Sequence, residues 1–151
     1  MKYLKIFVWL VLALSISLSS HAQDVKAKEA INYYNAGVKA QKDGDFEAAI
    51  TAYQKTLILA PDNLTYQKFI VNNTGVIDMR NGEVDMAEKS FLTVLEMDSD
   101  YKPAIYNLGL IYDARGERIR SLEYWAKIFD LDSMKPKELV VEGVIKEDLG
   151  Q

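Results

Sequence analysis

Gly44-Asp45-Phe46-Glu47-Ala48-Ala49-Ile50-Thr51-Ala52-Tyr53-Gln54-Lys55 is the stretch on which the fold turns. Its pattern returns as Gly82-Glu83-Val84 through Phe91, and again as Gly116-Glu117-Arg118 through Trp125. The three glycines lie 38 and 34 residues apart. Seven residues before each stands another glycine: Gly37, Gly75 and Gly109. Five residues after each comes a small residue (Ala49, Ala87, Ser121), and four further on an aromatic (Tyr53, Phe91, Trp125). Similarity at a fixed period of this length marks stacked supersecondary units, each too small to bury its apolar face alone.

Outward from these stretches, apolar residues recur at helical spacing. Ala27, Ala30, Ile31, Tyr34 and Val38 predict a helix over 24–43, ended by Gly44. Asp45 caps the next helix, which carries Phe46, Ala49, Ile50, Tyr53 and Leu57 and stops before Pro61-Asp62-Asn63. A third helix follows from about Leu64 to Met79. The period is longer here by four residues, about one helical turn. A longer helix is favoured over a longer loop at 62–67. Val84 to Met97 is its partner, with Ala87, Phe91, Val94 and Leu95 on one face. Pro103 fits the first turn of a fifth helix, whose stripe is Ala104, Ile105, Leu108, Ile111 and Tyr112. Ile119, Leu122, Trp125, Ile128 and Phe129 are expected to pack the sixth, ending at Asp132-Ser133. The tail keeps the period through Gly143 and Gly150. It reads as a single capping helix over 136–151, with Leu139, Val140, Val144 and Ile145 as its apolar side.

These residues resemble the tetratricopeptide repeat (TPR) family, whose pattern sets small residues at positions 8 and 20 and an aromatic at 24. The repeats are 30–63, 64–101 with the four-residue insertion, and 102–135, preceded by an extension of the first helix over 23–29. Position 11 departs from the pattern at Ala40 and Asp78, and position 32 lacks Pro at Ser99 and Ser133. The resemblance implies an all-α, right-handed α-solenoid of three helical hairpins with a C-terminal capping helix. It also implies a concave groove lined by the first helix of each hairpin, where partners bind. Carried over, its lining is Ile31, Tyr34, Val38 and Lys42 from the first repeat. The second gives Phe69, Asn72, Asn73, Val76, Met79 and Arg80, and the third Tyr106, Leu110 and Asp113. The alternative is that the extra turn or the cap folds over this face. The Lys and Asn clamp by which some family members hold a chaperone tail is not reproduced: Tyr34, Val38, Pro103 and Asn107 stand at its positions, and only Asn73 matches. Lys42 and Arg80 are candidates for an acidic group, or simply solvated surface.

The chain starts with a basic Met1-Lys2-Tyr3-Leu4-Lys5. An apolar run from Ile6 to Leu18 follows, broken only by Ser15 and Ser17, and then Ser19-Ser20-His21-Ala22. This is the three-part pattern of a secretory leader over 1–22, cut after Ala22. The apolar core is short against the roughly 20 residues a bilayer span needs, so cleavage is favoured over an uncleaved anchor. No stable membrane insertion is expected after the cut. The expected location is the bacterial periplasm or the cell exterior.

Composition narrows the function. There is no cysteine, and the one histidine, His21, lies in the leader-like stretch. Disulfides, thiolate metal sites and cysteine nucleophiles are therefore excluded, and the commonest general base is missing from residues 23–151. The net charge of −4 lacks the basic footprint of a nucleic-acid binder. Asp98 with Asp100, and Asp130 with Asp132, sit at turns and do not follow a calcium loop. The glycines belong to no phosphate loop. The expectation is a non-enzyme with no catalytic, cofactor or metal site, which binds another protein or peptide in an apolar groove. The alternative is a self-associating structural subunit, a homo-oligomer, of an envelope assembly.

Overall fold

The computed structural model describes residues 2–129. The expected capping helix over 136–151, the Asp130 and Asp132 pair and the end of the third repeat lie outside the described residues. Among those described, six helices and no strand occur: α1 (Lys2–Lys42), α2 (Phe46–Leu59), α3 (Leu64–Arg80), α4 (Val84–Met97), α5 (Lys102–Ala114) and α6 (Arg118–Trp125). The chain forms two compact units, Met1–Ile70 and Val71–Gln151, divided within α3.

Two kinds of glycine make the hairpins. Gly44, Gly82 and Gly116 have φ of 82°, 80° and 77°, a region that side chains with a Cβ avoid. Each ends its helix in the same way. The N–H of the residue after the glycine donates to a carbonyl five residues back: Asp45 to Ala40 at 2.9 Å, Glu83 to Asp78 at 2.8 Å, Glu117 to Tyr112 at 2.8 Å. The glycine N–H donates three residues back. These paired bonds satisfy carbonyls that a helix end would otherwise leave open. Gly37, Gly75 and Gly109 serve a different need. A Cβ there would sit 2.5 Å from the Tyr53 ring, 2.8 Å from the Phe91 ring and 2.1 Å from Trp125 Nε1. The aromatic of the second helix packs directly against the bare backbone of the first.

In the first unit, α1 and α2 bury Ala30, Ala49, Ala52, Tyr53 and Thr56. Thr56 is satisfied because its hydroxyl donates to the Ala52 carbonyl at 3.0 Å. Asp45 accepts from the Ala48 N–H at 3.0 Å and so caps α2, as its position predicts. Asn63 caps α3 in the same manner through the Tyr66 N–H, at 3.1 Å. In the second unit the core is Ala87, Phe91 and Val94 of α4 against Ala104, Leu108, Ile111 and Tyr112 of α5. The added turn of the sequence period lies in helix: α3 has 17 residues and α5 has 13.

The structure corrects two elements. The first helix does not begin near residue 24 but at Lys2, because no helix-breaking residue separates the leader-like stretch from the hairpin. The sixth helix ends at Trp125 instead of continuing past Phe129. Its last bonds tighten, with the Lys127 N–H on Tyr124 O and the Ile128 N–H on Trp125 O, three residues back. Of its expected packing residues, Trp125 is buried, whereas Ile119 is 78% exposed, Leu122 36% and Phe129 37%.

Candidate protein-binding surfaces

In the first unit, Ile31, Tyr34, Val38 and Lys42 follow one another along one face of α1, at the spacing of helical turns. Ile31 is 47% exposed and Lys42 is exposed, while Tyr34 and Val38 are half-buried. Tyr34 is the hub of an aromatic cluster. Its ring centroid lies 5.4 Å from Tyr66, 6.1 Å from Tyr53 and 6.2 Å from Phe69, all tilted. Such pairs add to area burial, each by about 0.5–1.5 kcal/mol. Tyr53 is fixed in turn, its hydroxyl donating to Gln41 Oε1 at 2.7 Å. The Lys68 ammonium stands 5.7 Å from the Phe69 ring centre.

In the second unit the register repeats around Tyr106, which lies 72 positions after Tyr34. Its ring is 6.4 Å from Trp125 and meets Phe129 edge-on at 6.5 Å. Trp125 Nε1 donates to the Tyr106 carbonyl at 3.3 Å. Leu110 and Asp113 continue this face of α5, both half-buried. On α3, Asn73, Val76 and Met79 are half-buried and Arg80 is exposed; Val76 and Met79 pack against the core. Asn72 is only 6% exposed. Its Oδ1 is buried with no hydrogen-bond partner among the described residues. Its amide nitrogen lies 3.5 Å from Asn73 Oδ1, the weak limit of such a bond.

Sequence reasoning missed two features. Tyr66 joins the Tyr34 cluster. The available signal was its position three residues before Phe69, on the same helical face. The second is a polar lock between α4, α5 and α6. Tyr112 Oη donates to Glu88 Oε1 at 2.5 Å, and Arg115 bonds Glu88 Oε2 and Asp85 Oδ1, each at 2.6 Å. The Arg120 guanidinium lies 4.9 Å from the Tyr112 ring centre, and Tyr112 stacks on Tyr124 at 5.4 Å. The hydroxyl of Tyr112 and then Arg115 hold the Glu88 carboxyl below its ordinary value. Burial, followed by the Glu88 hydrogen bond, pushes the Tyr112 phenol up, so it stays protonated and keeps donating. Partners 24 to 30 residues apart leave no trace in local spacing.

The helical fold finds its likeness among solved structures. The second TPR of Spaghetti (RPAP3), solved bound to an HSP90 peptide, matches 75% of this chain and 94% of its own, with a TM-score of 0.57 and 19% identity. The crystal structure of MamA matches 76% of this chain and 68% of its own, with a TM-score of 0.53 and 22% identity. The fold is the all-α TPR fold. No family model matches the chain. Among curated proteins, photosystem I assembly protein Ycf3 of Acaryochloris marina is 32% identical over 111 residues, covering 72% of this chain and 66% of the relative. Ycf3 of Prochlorococcus marinus is 36% identical over 93 residues, covering 62% of this chain and 53% of the relative. The chain thus spans about half to two thirds of the length of these relatives.

The relatives correct the expected location. They are photosystem I assembly proteins, and this overturns the periplasmic or secreted assignment drawn from the leader-like start. The leader-like stretch is not set apart in the structure, because residues 2–42 form one continuous helix that runs from it into the first hairpin. Among the described residues no helix is long and apolar enough to cross a membrane.

Proposed function

We propose that this protein is a non-catalytic adaptor in the assembly of a protein complex, and that it holds a partner's peptide or helix against the first-helix faces of its hairpins. The observation that carries this reading is the Tyr34 cluster. Three further rings converge on a tyrosine that stays half-exposed, next to an isoleucine that is 47% exposed. Aromatic residues fixed in place and partly open are the usual anchors of protein interfaces, since little side-chain entropy remains to be lost on binding. The second unit supports it with Tyr106, half-buried at the same register of its hairpin. The assembly role of the Ycf3 relatives and the peptide in the RPAP3 complex are in keeping with such a surface.

A site-specific photo-crosslinker tests it. Placed at Ile31 in the full chain and activated in the native host, it is expected to give a heteromeric product of defined mass. Tyr34→Ala/Tyr106→Ala should remove that product while the helical circular dichroism is kept. Ile58 of α2, 77% exposed, is the control position. Equal crosslinking from Ile58, or a product insensitive to the double substitution, counts against the reading.

A further inference from the structure

The third hairpin shows what the leading face of a hairpin carries when a preceding helix is docked on it. There α5 and α6 present Leu108, Tyr112, Arg115, Arg120 and Tyr124, and α4 fills the space with Asp85, Glu88 and Phe91. The first hairpin has the same register, 72 positions earlier, with other side chains. Leu108 becomes Ala36, Tyr112 becomes Ala40, Arg120 becomes Ala48 and Tyr124 becomes Ala52. These truncations leave a recess of about 480 Å³, lined by Ala36, Ala48 and Ala52 together with Tyr33, Thr51, Lys55 and the acids Asp45 and Glu47. Lys55 closes one rim by standing over the Tyr33 ring at 5.0 Å.

The trailing helix changes in the opposite sense. The positions on α4 that supply the acids of the lock, Asp85 and Glu88, are Ile119 and Leu122 on α6, 34 positions later. Both are open to solvent, Ile119 at 78% and Leu122 at 36%, and they lie three apart on one helical face. The lock between hairpins two and three is carboxylate on phenol and guanidinium. Its counterpart between a third hairpin and a first one is a large aliphatic pair on an alanine floor. Size and polarity have changed together on both surfaces, one of which belongs to the first hairpin and the other to the third.

We propose that copies of this chain associate head to tail, with Ile119 and Leu122 of α6 in one copy seated in the alanine-lined recess of the first hairpin of the next. The arrangement is heterologous: each copy keeps one free head and one free tail, so pairs extend or close into rings. It uses neither Tyr34 nor Tyr106, so it stands or falls apart from the adaptor reading.

The test is the solution mass of the full chain by sedimentation across the micromolar range. Wild type is expected to grow in mass with concentration. Leu122→Asp spoils the tail by setting a carboxylate against the Asp45 and Glu47 of the recess, and Ala48→Arg spoils the head with a residue that the third hairpin carries at the same position; both sites are exposed, so both variants should stay folded. Each alone should weaken self-association by about tenfold or more, because each brings a charge into an aliphatic contact. Mixing the two variants should give a 1:1 dimer, since one intact head and one intact tail remain. Tyr34→Ala/Tyr106→Ala should associate as wild type does. A wild type that stays monomeric throughout would overturn the proposal. Variants that keep the wild-type mass, or fail to pair on mixing, would overturn it equally.

Discussion

The first and third hairpins are built on one backbone plan and are held by different means. Both set an aromatic on a bare glycine, Tyr53 on Gly37 and Trp125 on Gly109, and both turn through a glycine of positive φ. The first is bounded by alanines and leaves a recess. The third is filled by Tyr112, Tyr124 and two arginines, and it docks on α4 through apolar packing and a polar lock. The lesson is that in this repeat the glycine–aromatic pair defines the hairpin, while the residues beside it decide whether a neighbour can dock and by what chemistry.

The sharpest way to break the comparison is at the shared pair. Gly109→Ala places a methyl 2.1 Å from Trp125 Nε1, on an indole held by its bond to the Tyr106 carbonyl. Gly37→Ala meets the edge of the Tyr53 ring at 2.5 Å. Alanine gains about 1 kcal/mol in helix propensity at either site. Overpacking costs about 1–3 kcal/mol and occasionally more, and the nearer, more constrained contact takes the upper end. Urea unfolding should therefore show Gly109→Ala destabilised by about 2–3 kcal/mol and Gly37→Ala by about 1 kcal/mol. Equal losses would mean that both rings move aside as readily.

The lock is the next largest difference. Glu88→Gln removes a carboxylate that accepts from Tyr112 and Arg115, bonds that together are worth about 1–2 kcal/mol at neutral pH. The sign with pH follows from the depressed Glu88 value. Its stabilisation is full above the ordinary glutamate value of 4.5 and is lost as pH falls from there through the lowered one. Asp78 acts against it. Burial and then Glu83 raise its carboxyl, so its folded-state penalty is relieved over the acidic range. The clean observable is thus the difference between wild type and Glu88→Gln. It should be largest near neutrality and shrink as the solution is acidified below pH 4.5. A difference independent of pH would assign the loss to packing alone.

The same contrast explains what could be read from the sequence. Period, hinges and aromatic pairs are local features of fixed spacing, and they gave the helical hairpins and the TPR fold. The Asp45 cap and the placement of the extra turn within α3 were legible for the same reason. The polar lock was not, because Glu88, Tyr112 and Arg115 look like ordinary surface residues until α4 and α5 are packed. Helicity alone also misled at the two ends. The apolar start matches a leader in composition, and Ile128 and Phe129 keep the helical period though the backbone has already tightened out of α-helix. Of the candidate binding face, the helix positions were readable and the depth was not. Asn72 lies almost fully buried, and Tyr66, absent from the expected lining, is the closest ring to Tyr34 among the described pairs.

The smallest expected effect separates the two hairpins at their second helices. Asp45 caps α2 with a bond to the Ala48 N–H, whereas Glu117 at the start of α6 makes no such bond. Asp45→Ala should cost about 1 kcal/mol, the usual loss of a capping acceptor. Glu117→Ala removes only a bond to Arg120 at 3.0 Å between side chains that are 41% and 59% exposed, a kind of pair worth a few tenths of a kcal/mol. Arg120 would still lie over the Tyr112 ring. Denaturation midpoints of the two single variants test this directly. A Glu117→Ala loss as large as that of Asp45→Ala would mean that Glu117 supports the Arg120–Tyr112 stack, so that the lock of the third hairpin would extend into the first turn of α6.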